Sequence, residues 1–193
     1  MQPTALVTGS PARVQDVGDA LEKAGFAVIR ATVPGGLEQA CGELSPGALA
    51  CYVQLPRETE VHGPSLIERV RQFLAEGLLA RFETVAQVMP FLSPDACVVL
   101  VAGNVPGEAT PDDRHARIDL LRVLARAVLA ERPEDDVRAV VVGNDRSPAE
   151  IAQIALLRGD YQGLRRAEVA ALDPGLDYAD WQREVLSLTT DEK

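Results

Sequence analysis

The chain has little of several residue types on which soluble proteins build function. Aromatic residues make up only 4% of its 193 residues, so the core must rest on Ala, Val, Leu and Ile. Cysteines number three, Cys41, Cys51 and Cys97, with no CxxC or ligand-like spacing. Cys51 and Cys97 sit in apolar runs and read as small buried hydrophobes. No lysine occurs between Lys23 and Lys193, and no tyrosine between Tyr52 and Tyr161. The longest apolar run, "CVVLVA", is far below membrane-spanning length. Positive charge is also short: 19 basic against 29 acidic residues give a net charge of −10, which argues against nucleic acid or an anionic membrane as partner. The first strand pattern begins within a few residues of Met1, so the expectation is no signal peptide and a reducing cytoplasm.

What is present is a regular alternation of strand and helix patterns. Ala5–Val7 reads as a short strand and 12–24 as a helix with Val14, Val17 and Leu21 on one face. "FAVIRATV" is a second strand, 37–44 a short helix and "ALACYVQL" a third strand. Residues 65–89 carry apolar positions three or four apart, which predicts one long helix ended by Pro90 and Ser93-Pro94. "ACVVLVAGN" lacks alternation, as a strand buried on both faces does. A helix over 114–132, the strand "VRAVVVGND", and a helix opened by Ser147-Pro148-Ala149-Glu150 with a capping box follow. "EVAALDPG" and 178–190 are expected as a last strand and a C-terminal helix or tail. Such alternation implies a parallel sheet with helices on both faces, in one α/β domain over 1–193.

The first unit, "ALVTGSPARVQDVGDALEKAGF", has the strand, Thr8-Gly9 turn and helix of a dinucleotide-binding motif. After Gly9 the next glycine is Gly18, already within the helix. Taken in order, Thr8-Gly9, "FETVAQVMPFL", "CVVLVAGN", "LLRVLARAVLAER" with "VRAVVV", "SPAEIAQIALLRGD" and "VAALDPG" resemble the short-chain dehydrogenase/reductase family. The resemblance covers nearly the whole chain. It implies a Rossmann-like doubly wound parallel sheet, here shortened by about one strand–helix unit and lacking the substrate-loop region. The family's Asn-Asn-Ala-Gly turn corresponds to Val53-Gln54-Leu55-Pro56.

The family's chemistry does not carry over with the frame. Its catalytic Asn, Ser, Tyr and Lys fall near Gly77, Gly103, Arg114 and Ile118, none of which can do that work. A tyrosine acts as an acid near neutral pH only when a nearby ammonium lowers its pKa, and both groups are missing. The second and third phosphate-loop glycines fall near Arg13 and Gln15, whose side chains obstruct approach to a pyrophosphate. The expectation is therefore no catalytic residue, no metal and no cofactor. The weak cofactor candidates are Thr8, Gly9, Arg13, Arg30, Asn104 and Asn144. Arg13 and Arg30 read either as a clamp for the 2′-phosphate of NADP or as solvated charges, and Asn104, Asn144 and Asp145 either as strand-end ligand groups or as ordinary turns. His62 and His115, the latter near Asp112 and Asp113, show no metal-ligand spacing. Tyr178 and Trp181 either pack the last helix or anchor a partner.

The helix over 114–132 is apolar around most of its circumference, beyond what one sheet face needs. In the resembled family this helix and the preceding long one form the subunit interface. Leu78, Phe82, Val85, Leu121, Leu124 and Val128 are accordingly expected at an oligomer interface. The resulting reading is a non-catalytic subunit that assembles with itself, as a homo-oligomer, or with an active short-chain dehydrogenase, as a hetero-oligomer. The alternatives are an NADP-dependent oxidoreductase with a rebuilt site and a small-ligand-sensing module.

Overall fold

The computed structural model describes residues 2–32, 35–57, 62–103, 111–144 and 146–156. Within them run β1 (Thr4–Gly9), α1 (Pro11–Lys23), β2 (Ala27–Thr32), α2 (Leu37–Gly42), β3 (Leu49–Gln54), α3 (Leu66–Gln72), α4 (Ala80–Val88), β4 (Leu92–Val101), α5 (Pro111–Glu131), β5 (Arg138–Val142) and α6 (Pro148–Leu156). The strand and helix expected over 168–175 and 178–190 lie outside the described residues.

All pairings are parallel and the sheet order is β2-β1-β3-β4-β5. The order reverses at β1, so β1 and β3 flank the switch point where open α/β sheets place ligands beyond the strand ends. β3 and β5 are buried along their whole length, and only β2, at the sheet edge among the described strands, is largely half-exposed. This matches a sheet shortened by one strand–helix unit beside β2. Helix α1 packs on α6 and β2, while α5 packs on β4 and β5. The core is one aliphatic cluster with Tyr52 and Phe26 as its largest fully buried rings. Cys51 and Cys97 are buried as expected, and no disulfide joins any of the three cysteines.

Two local expectations are corrected. The long helix runs without a break but is not α-helical throughout: α3 passes into a π-helical segment at Phe73–Leu79, and a 3-10 turn at Met89–Phe91 follows α4. Hydropathy periodicity cannot distinguish three- and four-residue spacing in an α-helix from one extra residue inserted per turn. β4 also begins earlier than expected, at Leu92, because Leu49 pairs with Leu92 before the register jumps to Cys51 opposite Cys97. Ser93-Pro94 lies in that irregularity rather than in a terminating turn, and the Ser93 hydroxyl donates to Asp95 Oδ1 at 2.7 Å.

The residues expected at an oligomer interface lie mostly inside the chain. Leu78, Val85, Leu121, Leu124 and Val128 are buried in the chain's own core, and Phe82 is half-buried against it. Their three- and four-residue spacing marks faces that are buried within the chain. Among the described residues, the large apolar side chains left exposed on these elements are Ile67, Val70, Leu74, Leu79 and Val123.

Candidate functional site

The Thr8-Gly9 turn closes β1 at the switch point. Gly9 has φ +149°, and a Cβ there would lie 2.6 Å from Leu55 Cβ. Leu55 N donates to Thr8 O at 2.8 Å and Ser10 N to Pro56 O at 3.4 Å. The loops after β1 and β3 are thus bonded to each other across the switch point. The Ser10 amide, one of the donors a bound phosphate would use, already has an acceptor within the chain. Thr8 is buried, and its hydroxyl is 2.9 Å from the Tyr52 hydroxyl. Burial pushes the Tyr52 pKa up to about 12, so the phenol keeps its proton.

Arg13 and Arg30 are not brought together as a phosphate clamp. Arg13 donates to the side chain of Asn144, and at 3.4 Å each to the carbonyls of Asn144 and Arg146, pinning α1 to the loop before α6. Its burial lowers its pKa. Arg30 donates at 2.7 Å to Asp19 and to Glu22 on α1. Its guanidinium lies over Gly18, where a Cβ would sit 2.4 Å from Arg30 Nε. The turn glycine and the glycine within α1 therefore each have a packing reason: Gly9 admits Leu55, and Gly18 admits Arg30.

Among the family-aligned catalytic positions, Gly77 is buried in the π segment and Ile118 in the core. Gly103 follows β4, with room so limited that a Cβ would meet Pro56 Cβ at 3.0 Å. The Arg114, His115, Asp112 and Asp113 side chains, with Asn104, Asp145, Tyr178 and Trp181, lie outside the described residues. His62 lies at the rim of a shallow hollow, its amide donating to Gln72 Oε1 at 2.9 Å. Among the described residues no three His, Cys, Asp or Glu side chains gather as a metal site would require.

The structure does gather residues that sequence reasoning passed over. Gln54, the last residue of β3, and Arg81, on α4, are both buried and locked together. Arg81 Nε donates to Gln54 Oε1 at 2.9 Å, Arg81 Nη2 to Gln54 O at 3.2 Å, and Gln54 Nε2 to Arg81 O at 3.0 Å. Arg117, next to Ile118, donates from Nη1 to Gly103 O at 2.7 Å and lies 4.3 Å from the Phe73 ring centroid. Their signal was present in the sequence. Arg81 falls on the stripe Leu78, Val85, Val88, and Arg117 on the stripe Leu121, Leu124, Val128, each an arginine at a core-facing helical position.

Structure comparison finds the same fold in solved dehydrogenases. A short-chain dehydrogenase/reductase from Corynebacterium glutamicum matches with a TM-score of 0.51 at 19% identity, over 79% of this chain and 89% of that one. The fold is that of the short-chain dehydrogenase/reductases. A variant of such an enzyme from Serratia marcescens matches with a TM-score of 0.51 at 16% identity, over 82% of this chain and 90% of that one. The NADP-bound C-domain of a bacterial malonyl-CoA reductase matches with a TM-score of 0.50 at 12% identity, over 95% of this chain and 34% of that one. No protein-family model and no curated protein matches the chain. Among the described residues no helix is long and apolar enough to cross a membrane.

Proposed function

We propose that this chain is a non-catalytic subunit on a short-chain dehydrogenase/reductase frame, acting by association with a second copy or with an active subunit of that fold. The observation that carries the non-catalytic half is the Thr8-Gly9 turn. Leu55 packs against Gly9, Ser10 donates to Pro56, and both candidate phosphate ligands, Arg13 and Arg30, are engaged within the chain. A pyrophosphate would have to displace these contacts before making its own.

Association is supported by an apolar ridge on α3 and the π segment. Ile67 is 81% exposed, and Val70, Leu74 and Leu79 are exposed beside it. Ile67, Val70 and Leu74 follow α-helical spacing. Leu79 closes the π segment five residues after Leu74. Contiguous exposed apolar side chains mark interaction surfaces more often than chance. Sedimentation velocity tests the reading: the wild type associates, and Ile67→Glu with Leu74→Glu returns a monomer of unchanged circular dichroism. Calorimetric titration with NADPH into the millimolar range is expected to give no saturable heat. A monomeric wild type that recruits no reductase would end the association reading. Micromolar NADPH binding would establish an NADP-dependent oxidoreductase instead.

A further inference from the structure

We propose that Arg81 and Arg117 form a binding site for a small soluble oxyanion, a carboxylate or phosphate group, at the carboxyl edge of β3 and β4. Both guanidiniums lie on the core-facing stripes of their helices, and only 3% of Arg81 and 5% of Arg117 is exposed. A buried charge is costly unless an opposite charge or a full set of hydrogen bonds compensates it.

The partners that hold Arg81 are neutral. Gln54 spends both its side-chain and backbone oxygens on Nε and Nη2, and those bonds leave Nη1 for another acceptor. Tyr52, the neighbouring ionisable group, holds its proton. No carboxylate pairs with Arg81 among the described residues. Arg30, Arg122, Arg132 and Arg146 by contrast each meet an Asp or Glu. Burial lowers the Arg81 pKa to about 10, and the nearby Arg117 charge pushes it the same way. Arg81 and Arg117 thus meet the ends of the neighbouring strands β3 and β4, and the groups bonded to Arg81 are neutral, an arrangement that an incoming anion would stabilise.

The frame around the pair is built rather than incidental. Gly103 O and the Phe73 ring orient Arg117, and Gln54 orients Arg81. Phe73 opens the π segment and Arg81 lies two residues beyond its end, and π segments recur at functional sites. The planar guanidinium fork matches carboxylate and phosphate oxygens. Carboxyl ends of parallel strands are where such sheets place ligands. The site needs neither nucleotide nor partner chain, so it stands apart from the association reading.

The test is calorimetric titration of the full chain in chloride buffer with inorganic phosphate and with malonate, against sodium chloride at matched ionic strength. Saturable binding of at least one oxyanion is expected, with a rise in Tm that chloride does not reproduce. Arg81→Met, which keeps volume and removes charge, and Arg117→Gln should each weaken binding roughly tenfold or more, while the exposed Arg126→Gln leaves it unchanged. Should Arg81→Met fail to fold, the wild-type titration and Arg117→Gln decide. Response to phosphate alone assigns a phosphate-bearing ligand, and to malonate alone a carboxylate. No saturable binding, a response equal to that of chloride, or binding unchanged in the variants that fold would overturn the proposal. Sedimentation of the same samples keeps the two readings separate, since a monomer that binds the anion loses association and keeps the site.

Discussion

Replacing Gly9 by Ala tests whether that glycine is held by packing or by an absent nucleotide. The new methyl would project to 2.6 Å from Leu55 Cβ, an atom fixed to the backbone that cannot rotate away. Its backbone, at φ +149°, is one that L residues avoid, at a cost of about 1–3 kcal/mol. Overpacking in a tight core adds roughly 1–3 kcal/mol. The sum, about 4 kcal/mol at its centre, lowers the Tm of a chain this size by about 8–16 °C. Urea unfolding followed by circular dichroism should show the midpoint falling with the m-value unchanged. Leu55→Gly in the same chain removes the colliding atom, so Gly9→Ala should then cost about 1–3 kcal/mol, the backbone contribution alone. A Gly9→Ala loss below about 1 kcal/mol would refute the packing account.

Three further outcomes are expected. Gly18→Ala is opposed by Arg30 Nε at 2.4 Å, but after Arg30→Ala the same change should stabilise α1 by about 1 kcal/mol, read as a sign change in a double-mutant cycle. Tyr52→Phe leaves the buried Thr8 hydroxyl without its partner and should cost about 1–3 kcal/mol at pH 9. Because the folded pKa of Tyr52 is raised to about 12, its stabilisation is complete below the ordinary value and is lost as pH climbs toward 12; the gap between wild type and Tyr52→Phe should therefore narrow by about 1.4 kcal/mol per pH unit above pH 10. Ser147→Ala breaks a reciprocal cap, in which Ser147 Oγ accepts from Glu150 N at 3.3 Å and Glu150 Oε2 from Ser147 N at 2.8 Å, and should lower the Tm by about 2–4 °C, or about 1 kcal/mol.

Element types, their order, the parallel sheet with its shortened edge and the Ser147–Glu150 cap were legible in the chain, because periodicity, turn residues and capping chemistry are local properties. So was the absence of any Tyr over 53–160 and of any Lys over 24–192, which no fold can supply. The direction of the apolar faces was not legible. Leu121, Leu124 and Val128 mark a buried face equally well for a sheet or for a partner, and tertiary packing gave them to the sheet and left Ile67, Leu74 and Leu79 outside. The π segment was hidden because one extra residue in a turn leaves the composition unchanged. The roles of the arginines were also tertiary facts. Sequence order puts Arg13 and Arg30 beside a nucleotide-like turn and says nothing special of Arg81 and Arg117. Folding ties the first pair to Asn144, Asp19 and Glu22. It brings the second pair, distant in sequence, to the ends of β3 and β4, since a side chain's electrostatic partners are chosen by the surfaces that meet and not by its neighbours along the chain.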